Sequence, residues 1–173
     1  MTTHNPSAAK SSQHTRKTAY AVVLVAIGVA LAPLTSFPIG IAIVNPTQHF
    51  VNVLAAVLLG PWWAVLTAGV IAVLRNAMGV GTLLAFPGGM IGALLAGLAY
   101  RFVRRSWAAA AGEIVGTGGI APVVSALLVA PILMGKAIPL LALVPSFLGS
   151  TVAGALLGVL ALRLLKRVDV VHF

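Results

Sequence analysis

Asn45-Pro46-Thr47-Gln48-His49-Phe50-Val51-Asn52 packs several hydrogen-bonding side chains into one short run, and Arg75-Asn76 followed by Gly79-Val80-Gly81-Thr82 makes a second. Their chemistry is recognition rather than bond breaking. The chain holds no paired carboxylates, no Ser-His-Asp set and no HExxH, so acid–base and nucleophilic mechanisms lack their groups. Cysteine is absent, which removes disulfides, thiolate catalysis and cysteine-ligated metals. His4 and His14 lie in the N-terminal tail and His172 near the end, leaving His49 without co-ligands for a metal. Gly79 and Gly81 are followed by no Walker lysine, so the segment is no nucleotide loop; with Thr82 it can offer backbone amides to a ligand.

These polar groups sit in a chain of 173 residues that is 60% hydrophobic and 8% charged, with mean hydropathy +1.09. A soluble domain carries about 25% charged residues, so this composition cannot build a water-exposed surface. It predicts an all-α membrane protein with six spans of about 20 residues each and tight loops. Amide and ionisable groups at membrane depth are costly and face a cavity, a partner or a substrate.

Nine of the eleven basic residues fall at three span ends: Lys10, Arg16 and Lys17; Arg101, Arg104 and Arg105; Arg163, Lys166 and Arg167. With six spans these ends share one side, and the positive-inside rule puts both termini in the cytoplasm. That placement accounts for the net charge of +9. Nucleic-acid binding would need a continuous basic face with reachable aromatics instead. Residues 1 to 15 are expected to be a disordered tail without a cleavage site, 16 to 168 the membrane domain, and 169 to 173 a short cytoplasmic tail.

Span one is predicted from Thr18 to Leu34, followed by an irregular outer loop over 35 to 46 whose apolar run Ile39 to Val44 lies back over the protein. Asn45 then Pro46 reads as an N-cap with proline at the first helical position. Helix two, Pro46 to Leu59, covers only about 20 Å, short of the roughly 30 Å hydrocarbon core. Span three runs from Pro61 to Met78, and span four from Phe86-Pro87-Gly88-Gly89 to Arg105. Span five runs from Gly112 to Leu133, bent at Pro122, and span six from Pro145 to Arg167. Gly89, Ala93 and Gly97 on helix four, and Ser150, Gly154 and Gly158 on helix six, have the four-residue spacing that lets helices approach closely in lipid.

In this topology both polar runs meet at the outer mouth of the bundle. His49 and Asn52 share one face of helix two. They form either a wall for a small polar ligand or bonds between helices. Arg75 either faces ligand or snorkels to the interface, whereas the short, amphoteric Asn76 is the better pocket candidate. Glu113, the only acidic residue before Asp169, either pairs with Arg101 or Arg104, binds a coupling cation, or touches ligand. Phe37, Phe50, Phe86 and Phe147 fall near the outer half, where any of them can stack on a flat ring.

The Asn-Pro-x-Gln-His-x-x-Asn run resembles the ThiW family, one of the substrate-binding S components of energy-coupling-factor vitamin transporters. Gly60-Pro61-Trp62, Arg75-Asn76 with Gly79-x-Gly81-Thr82, Phe86-Pro87-Gly88 and Glu113-x-x-Gly116-Thr117 share the resemblance. It implies a prokaryotic cell-membrane protein that captures hydroxyethylthiazole, the thiazole moiety of thiamine, with Gln48, His49, Asn52, Arg75, Asn76, Thr82, Phe86 and Glu113 as site candidates. It also implies docking on a transmembrane T component driven by two cytoplasmic ATPases, through a small-residue stripe on helix one that Ala26 and Ala30 match. No catalytic activity, metal or cofactor is expected. The competing reading is a stand-alone secondary transporter or channel for a small neutral heterocycle, which would be expected to carry inverted repeats or an acidic coupling-ion site.

Overall fold

The computed structural model describes residues 6–40 and 42–168, with side chains from Gln13 onward. Among these it forms six helices: α1 (Pro6–Thr35), α2 (Pro46–Leu58), α3 (Pro61–Ala77), α4 (Ala85–Val103), α5 (Ser106–Leu133) and α6 (Leu140–Arg167). Four of them, α1 from Gln13, α4, α5 and α6, are long and apolar enough to cross a membrane. α2 has 13 residues and α3 has 17, so both fall short of that length. The outside of the bundle is greasy: Leu141 is 82% exposed, Leu34 81% and Ile132 70%. Apolar exposure on this scale is stable against lipid, not water.

α1 begins at Pro6, inside the stretch expected to be a disordered tail. The short tail expected at 169–173 lies outside the described residues.

The connection between α1 and α2 is not irregular. Phe37–Ile39 (β1) and Ala42–Val44 (β2) pair antiparallel, with Phe37 opposite Val44 and Ile39 opposite Ala42. Gly40 turns the chain between them at φ +59, a conformation that costs glycine little. β1 is exposed, while Ala42 and Val44 of β2 are buried against the bundle. The hairpin is tied down at both ends. Ser146 of α6 donates to the Ile39 carbonyl at 3.1 Å, and Asn45 Nδ2 donates to Ser36 Oγ at 2.7 Å.

Asn45 also caps α2 as expected, its Oδ1 accepting from the Gln48 amide at 2.7 Å with Pro46 next in line. α2 is the centre of the protein. Val51, Val53, Ala55 and Ala56 are fully buried among Ala68 and Ile71 of α3, Ala93 and Ala96 of α4, and Ala155 of α6. Ten of its thirteen residues are buried, so this short helix lies in the interior of the bundle and need not match the thickness of the hydrocarbon core.

α5 starts six residues before the predicted Gly112, at Ser106, and carries two π-helical stretches, Ile114–Ile120 and Ser125–Leu133. Pro122 and Pro131 lie along it, and proline inside a helix removes a backbone donor that wider turns accommodate. α6 likewise begins at Leu140, so Pro145 lies inside it rather than at its start.

Small residues let these helices touch backbone to backbone. On Gly97 an added Cβ would meet the Cα of Pro61, and on Gly154 it would meet the Pro46 carbonyl oxygen. Gly116 of α5 lies so close to α4 that its Cβ would be 2.8 Å from the Gly92 Cα. Gly97→Ala is therefore expected to cost about 1–3 kcal/mol, because backbone cannot swing aside as a rotamer can. A drop in the thermal unfolding midpoint of purified protein would register it, and an unchanged midpoint would show that the α3 start yields freely.

Candidate functional site

The polar end of α2 meets α5 and α4 in one buried network. Glu113 is fully buried, and its Oε1 lies 2.8 Å from His49 Nδ1 and 2.9 Å from Asn52 Nδ2. Asn52 Nδ2 also donates to the Gly89 carbonyl at 2.9 Å, and Gln48 Nε2 donates to Asn52 Oδ1 at 3.2 Å. Thr117, one turn beyond Glu113, places its hydroxyl 2.7 Å from the Gly88 carbonyl and 3.1 Å from Glu113 Oε1.

The orientations of the amides follow from this network. Asn52 faces two acceptors with its nitrogen, so its oxygen faces Gln48, which must present nitrogen in return. Gln48 Oε1 is then left with no partner.

Close approach of α4 makes room for the carboxylate. A Cβ on Gly92 would lie on the Thr117 hydroxyl and 2.7 Å from Glu113 Oε1. Only a residue without a side chain fits there.

Directly outside this network lies a cavity of about 40 Å³, lined among others by Gln48, His49, Arg75, Gly88, Thr117, Phe147 and Ser150 and roofed by Ala42–Val44 of the hairpin. Three buried polar atoms of its wall residues have no hydrogen-bond partner: Gln48 Oε1, Arg75 Nε and Ser150 Oγ. His49 lines the cavity with its Nδ1 committed to Glu113. Unpaired buried polar groups each cost about 1–3 kcal/mol, so three of them on one cavity wall make it the candidate binding site.

Arg75 does not snorkel. It is 2% exposed, and its guanidinium turns inward to donate to the Val80 carbonyl at 3.2 Å and, at 3.4 Å, to Ser36 Oγ. Glu113 is the only acidic residue among those described, and it is committed to His49 rather than to Arg101 or Arg104.

The structure brings Gln48, His49 and Arg75 to the cavity wall and sets Asn52 and Glu113 behind it. Asn76, Thr82 and Phe86 are not among the lining residues. Asn76 instead donates to the carbonyls of Ala72 and Thr82, at 2.8 and 3.2 Å, and so ties the end of α3 to the following loop. Of the four phenylalanines only Phe147 lines the cavity, its ring packed on Gly88. Ser150 is a wall residue that sequence reasoning treated only as a packing position, since a serine among glycines at four-residue spacing reads as a helix contact.

Ala26 and Ala30 face the other way, exposed on the outside of α1. Gly28, between them, packs inward on Ile71.

Comparisons with known proteins agree with this architecture. The family model described as "Thiamine-precursor transporter protein (ThiW)" matches residues 18–168. A search of curated protein sequences finds no match. Among solved structures, the S component of a bacterial ECF transporter superposes with a TM-score of 0.73 at 17% sequence identity, covering 90% of this chain and 98% of that one. At that identity the likeness is one of fold.

Proposed function

The chain belongs to the thiamine-precursor transporter family, ThiW, and on that premise we propose that it is the substrate-capturing S component of an energy-coupling-factor transporter, with hydroxyethylthiazole as its ligand. The observation that carries this reading is the trio of unpaired atoms on the cavity wall, Gln48 Oε1, Arg75 Nε and Ser150 Oγ. A flat, neutral heterocycle with one hydroxyl needs an acceptor, a donor or two, and an apolar slot. Gln48 accepts the hydroxyl proton, Arg75 and Ser150 donate to the ring nitrogen or the hydroxyl oxygen, and Phe147 with Leu84 supplies the slot. Arg75 beside the cavity disfavours a cation such as intact thiamine, because a buried like charge cannot be screened.

At about 40 Å³ the cavity has room for roughly three waters at about 10–15 Å³ each. A thiazole therefore enters only if the roof yields. The hairpin and the 78–84 loop are the segments able to move without breaking the α2 core.

Titration of purified protein by calorimetry tests the reading. Hydroxyethylthiazole is expected to bind more tightly than thiamine or its pyrimidine precursor. Gln48→Leu and Ser150→Ala should each weaken binding by about 1–3 kcal/mol, while Asn76→Ala, off the wall, should leave it nearly unchanged. Tighter binding of thiamine than of the thiazole would overturn the ligand assignment.

The orientation belongs to the same proposal: both termini and the basic clusters lie in the cytoplasm. The chain has no cysteine of its own, so single introduced cysteines report cleanly. Arg16→Cys and Arg101→Cys should react with an impermeant maleimide only after the cells are opened, and Ile39→Cys in intact cells. Labelling of Arg101→Cys from outside would invert the protein and place the cavity on the cytoplasmic face.

A further inference from the structure

At the end of α4 and α6 opposite the ligand cavity lies a second pocket, of about 200 Å³, whose lining includes Tyr100, Arg104, Arg105, Ser106, Arg163 and Lys166. Four cations thus share one small space. The only acidic side chain among the described residues, Glu113, is buried deep in the bundle against His49. A positive-inside bias needs cations on one side of the membrane; it does not need them around a common cavity, where they repel one another.

Three independent features point the same way. Arg104 is the only non-glycine described residue held at positive φ, +56, at the junction of α4 and α5. Such a conformation costs free energy and recurs at binding sites. α5 begins at Ser106 with no side chain capping it, so its free amides and positive dipole end face the junction. Tyr100 lines the pocket beside Arg104, and its hydroxyl makes no hydrogen bond among the described residues. A phenol hydroxyl free of other bonds can donate to an anion held among these cations.

We propose that this pocket binds a phosphate group, held by Arg104, Arg105, Arg163 and Lys166 and by the Tyr100 hydroxyl. The group can come from an anionic phospholipid or from a soluble phosphate. The flanks favour lipid: Phe102 is 81% exposed and Trp107 58%, and aromatics so placed anchor in the interfacial layer where phospholipid headgroups lie. Basic pockets between helices on that side of a membrane are where anionic headgroups are held.

Native mass spectrometry of the whole protein in neutral detergent, titrated with phosphatidylglycerol or phosphatidylcholine, tests this. One phosphatidylglycerol should bind well ahead of phosphatidylcholine. Arg104→Gln with Lys166→Gln should weaken it about 30-fold, and Tyr100→Phe about 5-fold. Arg16→Gln with Lys17→Gln, which removes the same charge from another basic cluster, should change it little. Displacement of the lipid by millimolar inorganic phosphate, with the same sensitivity to the variants, would identify a soluble phosphate as the source. Resistance to phosphate would identify the lipid. Equal binding of the two lipids with no phosphate binding would overturn the proposal, and so would an equal loss in the Arg16 and Lys17 variant. Should the Arg104 and Lys166 variant fail to fold, Tyr100→Phe decides alone, and unchanged affinity there refutes the site.

Discussion

Glu113→Ala is expected to eliminate ligand binding and to lower stability by about 3–5 kcal/mol, for the His49 nitrogen left unpaired and the cavity left behind. The losses are unequal along the network. Asn52 keeps the Gly89 carbonyl and Thr117 keeps the Gly88 carbonyl. His49 has Glu113 as the partner of its Nδ1, so it is the wall residue set free. Glu113→Gln keeps the volume and one carbonyl acceptor, and it should retain the fold and part of the binding. Gly92→Ala makes the complementary test, since its methyl group would occupy the place of the Thr117 hydroxyl and push the carboxylate away. It should mimic Glu113→Ala without removing any polar group. Thermal melts and binding isotherms on the three variants separate the cases. Normal binding by both Glu113→Ala and Gly92→Ala would make the network a helix-to-helix fastening and leave the wall to the cavity-facing groups alone.

How far the site was legible depends on how local its signals were. Asn45-Pro46 announced the start of α2 because capping and the proline position are decided within four residues. The length of α2 followed from the Gly60-Pro61 stop. The hairpin was hidden because an apolar run as short as Ile39 to Val44 has no periodicity that separates a strand from a loop laid on the surface. The start of α5 was misplaced because Arg101 to Arg105 read as a span end and the alanines after it carry little apolar signal. That error put Glu113 at the membrane face, near arginines, instead of a turn or more inside the bundle against His49. The pairing itself joins residues 64 apart in sequence, and nothing local encodes it. Asn76 shows a related ambiguity: a short amide at a helix end ties loops as readily as it faces a cavity, and here it bonds the Ala72 and Thr82 carbonyls. From the run at 45–52, Asn45, Gln48 and His49 line the cavity. Of the second run, only Arg75 reached the cavity.

The remaining prediction concerns energy. The described residues hold one carboxylate, Glu113, whose Oε1 is bonded to His49, and the sequence shows no phosphate-binding loop, so little machinery for coupling to an ion gradient or ATP is visible. Binding should therefore survive in isolation while accumulation requires partners, proposed here as a T component with two ATPase subunits. The exposed face of α1 is the surface to test. Val22, Ala26 and Ala30 follow at four-residue intervals on its outside, and Val22 is 62% exposed. Two alanines in that row allow another helix to approach closely, while Gly28 shows that the inward face of the same helix is already taken by Ile71. Ala26→Trp with Ala30→Trp should abolish uptake of labelled thiazole in cells carrying the complete transporter, and should leave the affinity of the purified protein unchanged because neither residue approaches the cavity. Loss of binding would mean that the tryptophans disturb the bundle itself. Full uptake would place the partner elsewhere. Concentrative uptake by vesicles containing this protein alone would dismiss the subunit reading in favour of a stand-alone transporter.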